Sequence, residues 1–190
     1  VNIPIMNRTE TTLPINYAEE ADGTTSKLTK VKLESVTTQT NSLDIPNYFL
    51  SDCTALKKFD IQTLRNITSI KNDFLSGCTS LKYPILPNTE NEITIGDNFC
   101  SSCKSLSAST FDLNPLNFKS IGDYFLANCI GFTTLDLSGG LSKLTDIGSY
   151  FFDGCVNLTD LNLNGLSSVE TIDTNFLNGC NGLTELDLSG

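Results

Sequence analysis

Seven cysteines are the side chains of this 190-residue chain best suited to chemistry. Two of them lie in Cys100-Ser101-Ser102-Cys103, a C-x-x-C pair that elsewhere serves as a dithiol redox centre or half of a metal site. The chain has no histidine. That removes Ser-His-Asp triads, Cys-His dyads, His-ligated zinc and any histidine pH switch. No second C-x-x-C completes a four-ligand site, and no P-loop, G-x-S-x-G or H-E-x-x-H occurs. Cys103 belongs to a regular series of cysteines. Cys100 stands where other units have Leu50, Leu75, Leu126, Phe152 and Leu177, and it reads as a core leucine replaced by cysteine. No catalytic residue, cofactor or metal is therefore expected, and the chain is not read as an enzyme. A thiol redox or metal protein using Cys100 and Cys103 is the third alternative, behind two non-catalytic ones.

The series that absorbs Cys103 is an internal repeat. Cys53, Cys78, Cys103, Cys129, Cys155 and Cys180 recur every 25 or 26 residues. Four residues before each stands Phe49, Phe74, Phe99, Phe125, Phe151 or Phe176, and four before those Ile45, Ile70, Ile95, Ile121, Ile147 or Ile172. Each unit continues with an L-x-x-L-x-L pattern. Leu158/Leu161/Leu163 and Leu183/Leu186/Leu188 are clean copies; Leu56/Phe59/Ile61 and Phe132/Leu135/Leu137 follow them. Two copies degrade, at Leu81/Pro84/Leu86 and Leu106/Ser109/Phe111. An earlier copy at Leu28/Val31/Leu33 has Ala21 and Thr25 in its Phe and Cys places, as terminal repeats often do. Gly139-Gly140 is a one-residue loop expansion rather than a nucleotide-binding turn.

One unit has a definite local physics. The end of L-x-x-L-x-L alternates, which is strand periodicity. The I-x-x-x-F-x-x-x-C spacing is helical and puts Phe and Cys on one face. Asn47, Asn72, Asp97, Asp123, Ser149 and Thr174 follow each isoleucine by two places and are good helix N-caps. Asp52, Gly77, Ser102, Asn128, Gly154 and Gly179 precede the cysteines; most are types that tolerate a left-handed stop. A capped helical turn or two, then a short strand, is expected in each unit. A single unit cannot bury its own apolar face, so the units must stack. Stacked cysteines would lie about 4.8 Å apart, close enough for disulfides between neighbours. Parallel small thiols also pack without a bond, and free thiols are the preferred reading.

These I-G-x-x-F-x-x-C-x-x-L-x-x-L-x-L units resemble BspA-like leucine-rich repeats; residues 121–137 are the best copy for comparison. The resemblance covers 42–190 well and 17–41 weakly. It implies an α/β leucine-rich-repeat solenoid, with a parallel β-sheet on the concave side and short helical or 3-10 turns opposite. It also implies a surface-displayed protein that binds host or partner macromolecules, hence an extracellular or cell-surface location. The usual alanine before Phe is here Tyr48, Asp73, Asn98, Tyr124, Tyr150 or Asn175. The asparagine that common leucine-rich repeats carry after the strand is replaced by Leu64, Thr89, Gly140 or Leu166, with Asn114 the exception. No asparagine ladder is expected.

Organisation follows from the register. Residues 1–16 are a linker or N-terminal cap, 17–41 a degenerate repeat, and 42–190 six repeats with the last truncated. The chain, which starts at Val1 and stops inside its pattern at Gly190, is read as part of a longer array. A single sheet of about seven strands, roughly 30 Å wide at the strand spacing, is expected.

The candidate site is the outward row of the strands. It reads Lys30/Lys32, Lys58/Asp60, Tyr83/Ile85, Ala108/Thr110, Thr134/Asp136, Asp160/Asn162 and Glu185/Asp187. The row passes from basic, through a small apolar patch, to acidic. Residues 1–95 carry a net charge of −2 and residues 96–190 one of −8, within a total of −10. Nucleic acid is excluded as a partner by this charge, and no apolar run approaches the roughly 20 residues of a membrane span. A protein or glycan ligand on a concave recognition face, with Tyr83 as aromatic anchor, is the functional expectation. A structural spacer or intracellular scaffold is the alternative, since outward strand positions must be polar in any case.

Overall fold

The computed structural model describes residues 2–5, 27–35, 42–89 and 91–188. The Ala21 and Thr25 places of the degenerate repeat, and most of the 1–16 segment, lie outside the described residues. Among the described residues twelve short strands run in chain order: β1 (Asn2–Ile5), β2 (Lys30–Ser35), β3 (Leu43–Ile45), β4 (Lys58–Asp60), β5 (Ile67–Ile70), β6 (Tyr83–Ile85), β7 (Glu92–Ile95), β8 (Asn117–Ile121), β9 (Thr134–Asp136), β10 (Asp146–Ile147), β11 (Asp160–Asn162) and β12 (Thr171–Ile172). Every pairing is parallel. The chain is a parallel-strand solenoid in which each coil packs on the next.

Each regular coil contributes two strands, not one. The L-x-x-L-x-L segments form β2-β4-β6, with β1 of the N-terminal segment added beside β2, and, separately, β9-β11. A second, six-stranded sheet, β3-β5-β7-β8-β10-β12, ends at the repeating isoleucines. The sequence reading takes the I-x-x-x-F-x-x-x-C spacing as helical, with the cap two residues after each isoleucine, and assigns the isoleucines to no strand. The structure makes them strand residues, in accord with the β-branched runs Ile67-Thr68-Ser69-Ile70 and Ile93-Thr94-Ile95. The 26-residue spacing from Cys103 to Cys129 also finds a cause here. Ile93 pairs with Phe118 but Thr94 with Ser120, so Lys119 is the extra residue, absorbed as a bulge.

The single seven-stranded sheet is corrected too. The degraded unit around Leu106/Ser109/Phe111 forms a turn, with the Thr110 and Phe111 amides donating to the Ser107 carbonyl at 3.0 Å. Its predecessor explains the break. The Tyr83 amide donates to Lys57 on the β4 side, so the next residue faces the other way, and that residue is Pro84. Without an N–H it offers no ladder donor to a further strand. At the far end, residues 183–188 form no strand.

Among the described residues there is no α-helix, and only Lys27 lies in a 3-10 turn. The expected capped helical turns are instead chains of tight turns with alternating backbone handedness. Tyr48, Leu50 and Asp52 have φ of 58°, 56° and 57°, and the same three places are left-handed in every later coil. For leucine this costs about 1–2 kcal/mol per residue. The gain is a third ladder between coils. The Tyr48 amide donates to Asn72 O (2.8 Å), the Leu75 amide to Phe49 O (3.0 Å) and the Asp52 amide to Ser76 O (2.7 Å), and the set recurs down the array. The geometry also buries Phe49 and Leu50 together, at 2% and 1% exposure, although they are adjacent. An extended strand would turn one of them outward.

The residues read as N-caps do accept backbone N–H bonds, but from the next coil. Asn47 Oδ1 accepts the Asn72 amide (3.0 Å), Asn72 Oδ1 that of Asp97 (3.1 Å), Asp97 Oδ1 that of Asp123 (3.0 Å) and Asp123 Oδ1 that of Ser149 (2.8 Å). A side-chain ladder therefore runs along the turn face, a place different from the one after the strand where common leucine-rich repeats carry theirs. The Gly77 backbone, at φ 74°, lies so close under Asp52 that a Cβ there would sit 2.2 Å from its Oδ1. Left-handed backbone and lack of space both demand glycine at that place.

Inside, the phenylalanines form the expected ladder. Phe49, Phe74, Phe99, Phe125, Phe151 and Phe176 stack with successive centroid separations of 6.2, 5.3, 5.3, 5.0 and 5.9 Å. Phe118 and Phe152 meet Phe125 edge-on at 6.0 Å. Phe125, wholly buried among these rings, is the test position. Phe125→Ala should cost about 3–5 kcal/mol in denaturant unfolding, and a loss under about 1 kcal/mol would contradict the packed ladder.

Candidate functional site

Parallel pairing in register sets the strand-face row. Lys30 pairs with Lys58 and Lys58 with Tyr83; Lys32 pairs with Asp60 and Asp60 with Ile85. These six predicted positions thus form one contiguous patch. Tyr83 and Ile85 are 42% and 44% exposed. The ammonium groups of Lys58 and Lys82 each lie 5.5 Å from the centroid of the Tyr83 ring, within cation–π range. The sequence singled out Lys58 but missed Lys82, because it stands outside the alternating positions. Pro84 bars strand addition beside β6, which leaves recognition there to side chains.

Beyond the broken unit lies the acidic half. Thr134 pairs with Asp160 and Asp136 with Asn162. With Asp187 and Ala108 they line an open cleft of about 530 Å³. Glu185 is exposed in the last coil and is not among the residues lining the cleft. The predicted row is therefore two patches, a basic-aromatic one and an acidic one, joined through the turn at 107–110.

Several of these side chains hold the backbone as well. Asp60 Oδ1 accepts the Gln62 amide (3.0 Å), Asp136 Oδ1 that of Ser138 (2.9 Å) and Asn162 Oδ1 that of Asn164 (3.0 Å). Each closes an Asx turn that ends its strand. Hydrogen bonds from Ser138, aided by Asn162, hold the Asp136 carboxyl below the ordinary range. Asp136 accordingly keeps its charge in mildly acidic solution. This turn duty was legible in principle, as an Asx residue two places before a loop residue. Tyr83, Ile85, Thr134 and Asp160 close no such turn.

The thiols are placed for packing. Cys78, Cys103, Cys129, Cys155 and Cys180 each direct Sγ at a carbonyl of the preceding coil, 3.1–3.2 Å away: Leu50, Leu75, Cys100, Leu126 and Phe152 respectively. Cys100 and Cys103 are both fully buried, and Cys100 fills the leucine place as expected. Burial pushes the thiols of Cys100 and Cys129 well above the ordinary cysteine range, and that of Cys155 up to about 12. For Cys78 a hydrogen bond with Cys53 is the main cause of a shift in the same direction, and burial adds to it. Such groups do not supply the thiolate that redox exchange and metal binding need. Among the described residues, no three His, Cys, Asp or Glu side chains gather as a metal site, and no helix is long and apolar enough to cross a membrane.

Two-strand coils, an inward Phe ladder and an L-x-x-L-x-L strand face define a leucine-rich-repeat solenoid. The family model for the BspA type leucine rich repeat region matches six copies, over residues 25–129 and 93–190. The chain belongs to the BspA-type leucine-rich repeat family, as the resemblance implied. No curated protein and no solved structure matches it.

Thiol accessibility tests the placement of the cysteines. Folded protein should react slowly with a small thiol reagent, whereas denatured, unreduced protein should show all seven thiols of the sequence. Rapid native labelling of Cys100 would restore the dithiol reading.

Proposed function

We propose that the strand face of this array is a non-catalytic binding surface for a protein ligand, carried on a surface-displayed adhesion or host-interaction protein. Membership of a leucine-rich repeat family supports a protein-interaction module. The observation that carries the reading is the patch of Tyr83 and Ile85. Both are large and exposed on a face whose other outward residues are polar apart from Ala108, and Tyr83 is bracketed by two lysines. An aromatic anchor with flanking cations is a common centre of a binding hot spot. The acidic cleft beyond it gives the face two signs of charge, which would orient an elongated ligand along the coils.

The Asx turns favour a structural reading for Asp60, Asp136 and Asn162, and with it the spacer or scaffold alternative for that part of the row. Location and mutagenesis separate the two. Antibody should label intact source cells if the array is displayed; labelling only after permeabilisation would favour an internal scaffold. Tyr83→Ala combined with Ile85→Ser should weaken binding to the matrix protein or glycan captured by the native array by about 2 kcal/mol or more. The melting temperature should stay unchanged, because both side chains are surface-exposed. Unchanged affinity would remove the patch from the site.

A further inference from the structure

The turn face carries a second ordered row, formed by the left-handed residues just before each phenylalanine. It runs Tyr48, Asp73, Asn98, Tyr124, Tyr150, Asn175. Only at Tyr124 and Tyr150 do two aromatic residues fall in successive coils. Their rings are parallel within 6° and their centroids 4.5 Å apart. That is closer than any two successive members of the buried phenylalanine ladder. The separation is set by the backbone. Tyr124 and Tyr150 share one conformation (φ 56° and 59°). Their coils are clamped by the Tyr124 amide on Ser149 O (2.9 Å) and the Phe152 amide on Phe125 O (3.0 Å). The pair is also open to solvent: Tyr124 is 37% exposed, and Tyr150 is half-buried.

Two phenols held in this way are prearranged for one reaction. One-electron oxidation of a phenol, with loss of its proton, gives a phenoxyl radical whose spin density is high at the carbons ortho to oxygen. Two such radicals in contact couple through those carbons, and prior contact raises their effective concentration by orders of magnitude. We propose that Tyr124 and Tyr150 are an oxidative cross-linking site, coupled to dityrosine by a peroxidase-class one-electron oxidant using hydrogen peroxide. Each phenol gives up one electron and one proton, and the two radicals form one carbon–carbon bond. The hydrogen on each joined carbon then moves to oxygen as the rings regain aromaticity. The protein loses two hydrogens in all, and the peroxide is reduced to two waters.

Neighbouring groups suit this chemistry. The row continues on either side with the short side chains of Asn98 and Asn175, which leave the rings room to tilt from stacked to joined. Desolvation in the stack, then the Tyr150 phenol and the carboxylates of Asp123 and Asp153, hold the Tyr124 phenol above the ordinary tyrosine range. Tyr124 thus starts as a neutral phenol at neutral pH, and the nearby carboxylates favour removal of an electron. Tyr48 has Asp73 as its next row member, and Tyr83 lies by Lys58 and Lys82. Neither has a tyrosine stacked on it among the described residues. The bond would staple two successive coils from outside.

The test uses the full chain in dilute solution with a peroxidase and limiting hydrogen peroxide. The expected product is a monomer lighter by two hydrogens, with dityrosine fluorescence and a cross-linked peptide pair containing Tyr124 and Tyr150. Tyr124→Phe and Tyr150→Phe keep the ring stack but lack one phenol, and should each lose the monomer fluorescence. Tyr48→Phe should retain it. The proposal is overturned if the wild-type monomer keeps its mass, if coupling yields only linked dimers, or if the monomer cross-link maps to another tyrosine.

Discussion

Everything in this array depends on one constraint: a coil of about 25 residues cannot satisfy its own backbone and must pass its hydrogen bonds to the next coil. Three ladders do so. Two are the strand face, itself split into two sheets, and the six-stranded sheet; the third is the turn face, where left-handed residues alternate with right-handed ones. The strand face alone would not fix the coils. The strands are two to six residues long, and strand-face pairing stops at Pro84. Across that gap the turn face continues unbroken, with the Gly77 amide on Ser101 O (2.8 Å) and the Ser102 amide on Ala127 O (2.7 Å). Across the break, continuity of the solenoid therefore rests on the turn face together with the six-stranded sheet, in which β7 pairs with β8.

This ordering explains what each repeated residue is for. Phenylalanine fills the space that stacking creates. Cysteine is small, apolar and still a weak donor. At its place a buried carbonyl of the preceding coil faces inward, and the thiol can serve it without the desolvation cost of a hydroxyl. Asparagine or aspartate before the turn supplies an acceptor to an amide that the alternating backbone leaves unserved by the sheets. Each of these roles lies between coils, so none can be seen within a single unit. The cost of left-handed Leu50, Leu75 or Phe152 is likewise repaid only by the neighbouring coil.

That is also the limit of what the sequence made legible. Register, the Phe ladder, the burial of the cysteines and the outward row at Tyr83 and Ile85 all follow from spacing, because spacing is what stacking preserves. The helical reading of the turn face failed for a physical reason. An i, i+4 spacing of isoleucine, phenylalanine and cysteine fits an α-helix, but it equally fits a strand end followed by two tight turns. Residue types could have decided between them. Tyrosine, aspartate and asparagine, at the place before Phe, include types that tolerate left-handed backbone, and isoleucine beside threonine prefers strands. The N-cap reading erred only in the partner: the chemistry of a side-chain oxygen accepting a backbone N–H is right, and the N–H belongs to the following coil.

The division of labour between faces then bears on function. On the strand face, the third outward position (Lys58, Tyr83, Asp160) is unconstrained by turns, while the fifth is often committed to an Asx turn. Variation at the third position changes the surface without disturbing the coil, and variation at the fifth risks the strand end. On the turn face, the place before Phe is left-handed, yet its side chain points outward and accepts tyrosine, aspartate or asparagine alike. A scaffold whose cohesion lies between coils thus leaves two rows of side chains open to change. One carries the Tyr83 patch and the acidic cleft, and the other brings Tyr124 and Tyr150 face to face.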